Sequence, residues 1–165
     1  MNNQTSYRQK TVQLTQAAII AALYIVLTFI ANALGLANFA VQVRFSESLT
    51  ILPYFTKAAI PGLFIGCLLS NILTGCALPD ILFGSLATLL GALVTYALRK
   101  NKWLPPFGPI VSNAVIIPFV LLYAYGIKPL WFSFVTVTAG EIISCGLLGM
   151  LLLFSLEKYR RILFP

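Results

Sequence analysis

Three of the four carboxylates in this sequence occupy positions where an acidic side chain needs a physical reason to be present. Glu141 falls about eleven residues inside a long apolar stretch, and Glu47 and Asp80 fall at the beginnings of two others. An ionisable group in the middle of a membrane-spanning helix costs roughly 2.5–3.5 kcal/mol, so it usually faces a cavity or a partner. A carboxylate in the first turn of a helix is favoured by the helix dipole whatever else it does. Glu141 is therefore the strongest candidate for binding a solute, with Glu47 and Asp80 behind it.

Two other polar residues are candidates for the same site. Asn113 lies at a depth comparable to that of Glu141 on the preceding apolar stretch, so it either contacts a ligand or forms an amide hydrogen bond between helices. Arg44 stands three residues before Glu47, and the two either bind a ligand or pair as a structural latch. Both interpretations stay open for each residue.

Aromatic residues cluster near the expected outer boundary of the hydrocarbon region. Trp131, Tyr123 and Tyr125 occupy positions typical of interfacial anchors. The alternative is that Trp131 or a tyrosine stacks on a flat ligand.

Composition fixes the class of protein that must position these residues. The chain has 165 residues, of which 59% are hydrophobic and 9% charged, and its mean hydropathy is +0.93. A soluble domain of this size could not cover that much apolar surface, and long apolar runs predict helices. The basic residues behind the net charge of +7 lie between apolar segments, where they orient a membrane protein and do not indicate nucleic acid binding. We expect a single all-α transmembrane domain over residues 1–165.

The number of helices depends on the short segment that follows Arg44. Ser46 is a candidate N-cap for a helix that ends near Thr56, unless residues 46–75 form one helix broken at Pro53 and Pro61. Six helices would place nine of the eleven basic residues on the cytoplasmic side, whereas five would turn the loop at residues 99–102 outward. We therefore predict six helices with both termini in the cytoplasm, at about residues 12–34, 46–56, 61–75, 79–98, 107–125 and 130–156.

Small residues spaced four apart run along the first predicted helix. Ala17 and Ala21 share one face, and Ala18 and Ala22 share the next. This spacing lets another helix approach closely, either inside the bundle or on a partner protein.

Several absences narrow the function. The chain has no histidine and no GxxxxGK[ST] segment, so histidine catalysis and ATP hydrolysis by this chain are excluded, and we expect no enzyme activity. Cys67, Cys76 and Cys145 lack CxxC spacing and are expected to be buried free thiols, with no metal site and no cofactor. The chain is short for a self-sufficient carrier and has no internal repeat, which favours a solute-binding subunit that takes its energy from partners.

The stretch from Val43 to Thr95 resembles the signature region of the QueT family. Its fragments VRFSE, IPGLFIGC and LTGCALPDILFGSLATLLGAL occur together, and the similarity extends from about Leu14 to Leu153. Members of this family are substrate-binding (S) components of energy-coupling-factor (ECF) transporters. The resemblance implies a six-helix S-component fold in a prokaryotic cell membrane. It also implies docking, through the AxxxA pattern, onto a transmembrane coupling protein driven by two ATPase subunits.

The resemblance also implies the solute and a gate. The solute would be a 7-deazaguanine such as 7-aminomethyl-7-deazaguanine. Glu141 would accept two N–H donors of the guanine-like edge, and Glu47 or Asp80 would face the aminomethyl cation. The connector at residues 34–44, with Gly35, Asn38 and Gln42, would gate an outward-facing pocket. The remaining alternatives are an S component for another vitamin, a solitary carrier of the same solutes, and a membrane scaffold.

Overall fold

The computed structural model describes residues 2–36 and 43–164, and their regular structure is entirely helical. The α-helices in these residues are α1 (Asn2–Ala33), α2 (Ala59–Leu73), α3 (Ser85–Leu98), α4 (Phe107–Tyr125), α5 (Leu130–Glu141), α6 (Gly149–Glu157) and α7 (Arg160–Leu163).

Three further segments have non-α helical geometry. Phe45–Tyr54 forms a 3₁₀-helix between α1 and α2. Asp80–Gly84 is a π-helical turn that leads into α3, and Ile142–Leu148 is a longer π-helical segment that joins α5 to α6. The first is continuous with α3 in the stretch Asp80–Leu98, and the second is continuous with α5 and α6 in the stretch Leu130–Glu157.

Membrane-spanning length is reached by four helical stretches among the described residues. α2 is apolar but has only 15 residues, and the 3₁₀-helix has 10. The chain is thus an all-helical membrane protein, as predicted. The count of six helices stays a prediction, because it requires these two shorter elements to be counted with the four. The four stretches are Tyr7–Ala33, Asp80–Leu98, Phe107–Tyr125 and Leu130–Glu157.

The segment after Arg44 is a separate element, because four residues divide it from α2. It begins at Phe45, so Ser46 is not its N-cap; instead the Ser46 hydroxyl pairs with that of Thr28 at 2.9 Å. Ser48 and Thr50 each donate to a backbone carbonyl three residues back, which competes with α-helical bonding. Runs of 3₁₀-helix this long are uncommon, so tertiary packing must hold this one in place.

That packing comes from the surrounding bundle. The helices α1 to α5 pack sequentially, each against the next, and the 3₁₀-helix lies inside this arrangement. It contacts α1, α2, α3, α6 and the π-helical segment that precedes α6. Residues 46 and 47 and residues 49 to 54 are all buried. Glu47 is therefore carried into the centre of the bundle by an element that is covered on nearly every side.

Close approach between α1 and α2 depends on two glycines. A Cβ at Gly62 would lie 2.7 Å from the Ala17 carbonyl oxygen, and one at Gly66 would lie 3.0 Å from the Ala21 Cα. The small-residue face of α2 is thus a packing surface, since only glycine fits at these contacts. One of the two alanine frames, Ala17 with Ala21, faces α2 inside this chain.

Basic residues from distant segments gather at one end of the bundle. The Lys57 ammonium and the Arg99 guanidinium lie 5.5 Å and 3.6 Å from the centre of the Tyr96 ring. Lys102 Nζ lies 2.8 Å from Glu157 Oε1. This ion pair raises the pKa of the exposed Lys102 ammonium, because the carboxylate favours its charged form.

Candidate functional site

Three of the predicted residues meet in the interior, each from a different element. Glu47 comes from the 3₁₀-helix, Asn113 from α4 and Glu141 from the last residue of α5. The Asn113 Nδ2 atom donates to Glu141 Oε1 at 2.9 Å and to Glu47 Oε2 at 3.4 Å. The three residues are 1% to 5% exposed. One amide group therefore links two buried carboxylates.

Other side chains donate to the remaining oxygens of the pair. The Tyr24 hydroxyl donates to Glu47 Oε1, as does Thr88 Oγ1 at 3.4 Å, and Cys145 Sγ donates to Glu141 Oε2 at 3.1 Å. These three residues were not predicted as part of the site. Cys145 had a usable signal, since it lies one helical turn after Glu141 on the same face.

The pair is held by neutral donors. Burying an ionised carboxylate is costly unless hydrogen bonds or a counter-charge compensate, and here two lie beside one another. Tyr24, Thr88, Asn113 and Cys145 supply the hydrogen bonds just described. The arrangement can accept a positively charged group with several N–H donors, because such a group would satisfy both carboxylates at once.

Asp80 belongs to a second polar group beside the first. The Arg44 Nη2 atom lies 4.0 Å from Asp80 Oδ2, and the Tyr125 hydroxyl donates to the same oxygen at 3.1 Å. Tyr125 in turn accepts a hydrogen bond from the Ala77 backbone N–H at 3.0 Å. The latch between Arg44 and Glu47, one of the two interpretations left open for these residues, is not formed, and Arg44 pairs with Asp80 instead. The other Asp80 oxygen, Oδ1, is buried and has no hydrogen-bond partner among the described residues.

π-helical geometry adjoins two of these acids. Asp80 is the first residue of the π-helical turn Asp80–Gly84, and Glu141 immediately precedes the π-helical segment Ile142–Leu148. A π-helical turn holds one more residue than an α-helical turn, and such turns are frequent at functional sites. The wider turn changes the direction in which the side chains after Glu141 point.

The two predicted aromatic contacts lie elsewhere. Tyr123 is 81% exposed and Trp131 is 67% exposed, and the Trp131 ring packs edge-on against Phe132. The structure does not bring either ring to the buried carboxylates. Their exposure on the surface fits the interfacial-anchor interpretation.

The predicted gate is described only at its two ends. Gly35 adopts the left-handed conformation with φ +70°, which ends α1 in a tight turn. The Val43 backbone N–H donates to the Leu36 carbonyl at 3.0 Å, which brings the two described ends of the connector together. Asn38 and Gln42 lie outside the described residues.

The same centre contains a set of atoms that a metal ion could use. One oxygen each from Glu47 and Glu141 and the Cys145 sulfur lie within 4.8 Å of one another. The thiol, however, donates to Glu141, and a metal would need it as a thiolate. The set also mixes hard oxygen donors with a soft sulfur donor. The present hydrogen bonds therefore fit an organic ligand better than a metal ion.

Comparisons with known proteins add the family. The family model described as QueT transporter matches residues 14–158. A curated relative named Queuosine precursor transporter QueT, from Lactococcus lactis subsp. cremoris (strain MG1363), is 35% identical over 83 residues. That alignment covers 50% of this chain and 48% of the relative, so the chain spans about half the length of the curated relative it matches. No solved structure matches the chain. The family match covers most of the sequence and confirms the predicted resemblance: the chain belongs to the QueT transporter family.

Proposed function

We propose that this chain is the solute-binding membrane subunit of an ECF-type importer that takes up a queuosine precursor. The solute is a 7-deazaguanine, with 7-aminomethyl-7-deazaguanine as the best fit. The observation that carries the proposal is the junction of Glu47 and Glu141 through Asn113 in the buried centre of a chain from the QueT transporter family.

The chemistry of the two carboxylates supports this solute. A guanine-like edge presents adjacent N–H donors, and one carboxylate can accept both of them. Glu141 fits that role, because Asn113 and Cys145 donate to its two oxygens in the described part of the chain, and a ligand can replace both donors. Glu47 lies beside it and can provide the negative counter-charge for the aminomethyl cation.

Asp80 offers a further acceptor at the edge of the site. Within residues 2–36 and 43–164 its buried Oδ1 atom has no hydrogen-bond partner, and a buried acceptor left in this state costs about 1–3 kcal/mol. An N–H donor from the solute would remove that cost. Asp80 is therefore proposed as a second contact for the solute, and Arg44 as the group that fixes its orientation.

The direct test is calorimetric binding of 7-aminomethyl-7-deazaguanine to purified protein in detergent, with guanine and thiamine as controls. Saturable binding selective over both controls is the expected result. Binding of thiamine in preference would instead identify an S component for another vitamin. Lack of saturable binding in folded protein would remove the substrate assignment.

The role of Glu141 can be tested with a matched pair of variants. Glu141→Gln should weaken binding roughly 10- to 150-fold, because a hydrogen bond to a charged group contributes about 1.5–3 kcal/mol. Glu157→Gln is the control, since Glu157 forms its ion pair with Lys102 at the end of the bundle. Equal affinity of the two variants would show that Glu141 does not contact the solute.

The exposed alanine frame is the proposed docking face for the coupling protein. Ala18 and Ala22 are exposed, whereas Ala17 and Ala21 are committed to α2. Ala22→Leu should therefore reduce co-purification with the coupling protein and its two ATPase subunits while solute binding is retained. Ala139→Leu, at an exposed position on α5, is the control. Solute uptake without any ATPase partner would identify a solitary carrier.

The proposed membrane arrangement follows from the same charges. Six hydrophobic segments, with the 3₁₀-helix and α2 as the two short ones, put both termini in the cytoplasm of a prokaryotic cell. The contacts of Lys57, Arg99 and Lys102 at one end of the bundle support this arrangement. The connector between α1 and the 3₁₀-helix would then gate the site from the outside, and the loaded subunit would release its solute inward after docking.

A further inference from the structure

An apolar groove of about 290 Å³ separates α1 from α6. Ile19 and Leu23 form one wall, Leu152 and Leu156 form the other, and Leu49 of the 3₁₀-helix lies at its base. Both walls belong to helical stretches of membrane-spanning length and composition. The groove therefore opens toward the hydrocarbon of the bilayer.

A polar hollow of about 520 Å³ adjoins one end of this groove. It is lined by Arg8, Gln9 and Gln13 among others, and it shares Gln16 and Phe164 with the groove. The two spaces thus form one continuous surface with an apolar part and a polar part.

The junction between the two spaces is ordered by specific contacts. Gln16 Nε2 donates to the Leu163 carbonyl at 3.0 Å, and Gln16 Oε1 accepts from Thr56 at 3.0 Å. The Phe164 ring stacks on Phe55 with a centroid distance of 5.1 Å. Leu163 and Phe164 are thereby held near α1 and Phe55, at the point where the polar hollow meets the groove.

The charge around the hollow is positive. Arg8 lines it, and the nearby segments contribute further cations. Of the four carboxylates, Glu47, Asp80 and Glu141 lie in the buried site, and Glu157 is paired with Lys102. Further cations lie close in the chain to residues that line the hollow: Lys10 follows Gln9, Lys57 follows Thr56, and Arg160 and Arg161 precede Phe164 within the last described turn.

We propose that the groove and the hollow together bind one anionic phospholipid, with an acyl chain along the groove and the phosphate headgroup against Arg8. The charge favours this occupant, because a zwitterionic lipid would bring its own ammonium group to the cationic hollow. A partner helix would match both parts only with an acidic side chain at the level of the hollow, whereas every anionic phospholipid joins an acyl chain to an anionic headgroup. This lipid site is separate from the carboxylate centre, so the proposal does not depend on the identity of the solute.

Native mass spectrometry of the purified full-length chain tests the proposal. The protein in detergent is mixed with equal amounts of dioleoyl-phosphatidylglycerol and dioleoyl-phosphatidylcholine, which share their acyl chains. We expect one phosphatidylglycerol to be retained in preference to phosphatidylcholine. Inorganic phosphate, added in excess, should not displace it, because phosphate lacks the acyl chain.

Two pairs of variants assign the two halves of the lipid. Arg8→Gln should lower the apparent affinity for phosphatidylglycerol about fivefold, which corresponds to about 1 kcal/mol for one basic residue near the membrane surface, while Lys100→Gln should not. Leu23→Trp should lower the retention of either lipid by filling the groove, while Leu86→Trp, at an exposed position on α3, should not.

Three results would overturn the proposal. Equal retention of the two lipids by the wild-type chain would show that the headgroup charge is not recognised. Equal losses in Arg8→Gln and Lys100→Gln would show that the hollow is not the headgroup site. Unchanged retention in Leu23→Trp would show that the acyl chain does not lie in the groove.

Discussion

Replacing Asn113 by aspartate changes the shape of the side chain very little but removes the donor that links the two buried carboxylates. The Nδ2 atom lies 2.9 Å from Glu141 and 3.4 Å from Glu47, so the first contact is a normal hydrogen bond and the second a long one. Losing one hydrogen bond to a charged group costs about 1.5–3 kcal/mol. For a chain of this length that loss lowers the melting temperature by about 3–12 °C. Asn113→Asp also places a third acid beside the pair, which adds to the loss.

Thermal unfolding in one detergent, with and without solute, measures this effect. Asn101→Asp is the control, because Asn101 is exposed and its side-chain oxygen accepts a bond from the Trp103 N–H, which aspartate can also accept. We expect the control to melt like the wild type. A melting temperature of Asn113→Asp within 1 °C of that of the control, at the same lipid and detergent concentrations, would refute the idea that Asn113 bridges the carboxylates.

Two further predictions concern packing and the outer polar group. Gly62→Ala should destabilise the fold by about 1–3 kcal/mol, because its Cβ would lie 2.7 Å from the Ala17 carbonyl oxygen. Gly146→Ala is the control: its Cβ would have its nearest contact at 3.8 Å, so the substitution should be neutral or slightly stabilising. The melting temperatures of the two variants test this difference. Tyr125→Phe should lower the free energy of unfolding by about 1–2 kcal/mol and weaken solute binding, because Asp80 loses a hydrogen-bond donor. A variant with the melting temperature and the calorimetric affinity of the wild type would contradict this prediction.

The sequence was most informative about the class of the protein and about its buried acids. Apolar length and composition predicted an all-helical membrane protein, and the cost of a charge inside hydrocarbon singled out Glu141. The similar depth of Asn113 and Glu141 in consecutive spans predicts that they lie close together, because neighbouring spans bring residues of equal depth to the same level of the membrane. These arguments need only distances along a helix.

The contacts that a residue makes with neighbouring helices were much harder to predict than its depth along a helix. The sequence does not specify the 3₁₀-helix geometry that brings Glu47 to Asn113, because the choice between 3₁₀- and α-helix depends on packing from all sides. The sequence does not mark Tyr24 as part of the site, because tyrosines inside membrane spans are common and its partner Glu47 is 23 residues away. The two alanine frames, starting at Ala17 and Ala18, were equivalent until the glycines of α2 selected the first for internal contact.

The position of the 3₁₀-helix is coupled to several helices of the protein at once. It carries Glu47 in its first turn, and its sides contact α1, α2, α3 and α6. A segment this long in 3₁₀ geometry has little stability of its own, so its position depends on the balance of those contacts. On the proposed function, a solute that binds Glu47 would shift a 3₁₀-helix that four other helices contact, so the surfaces of those helices would differ between the occupied and the empty protein. A coupling protein docked on one of those surfaces would then sense whether the site is occupied.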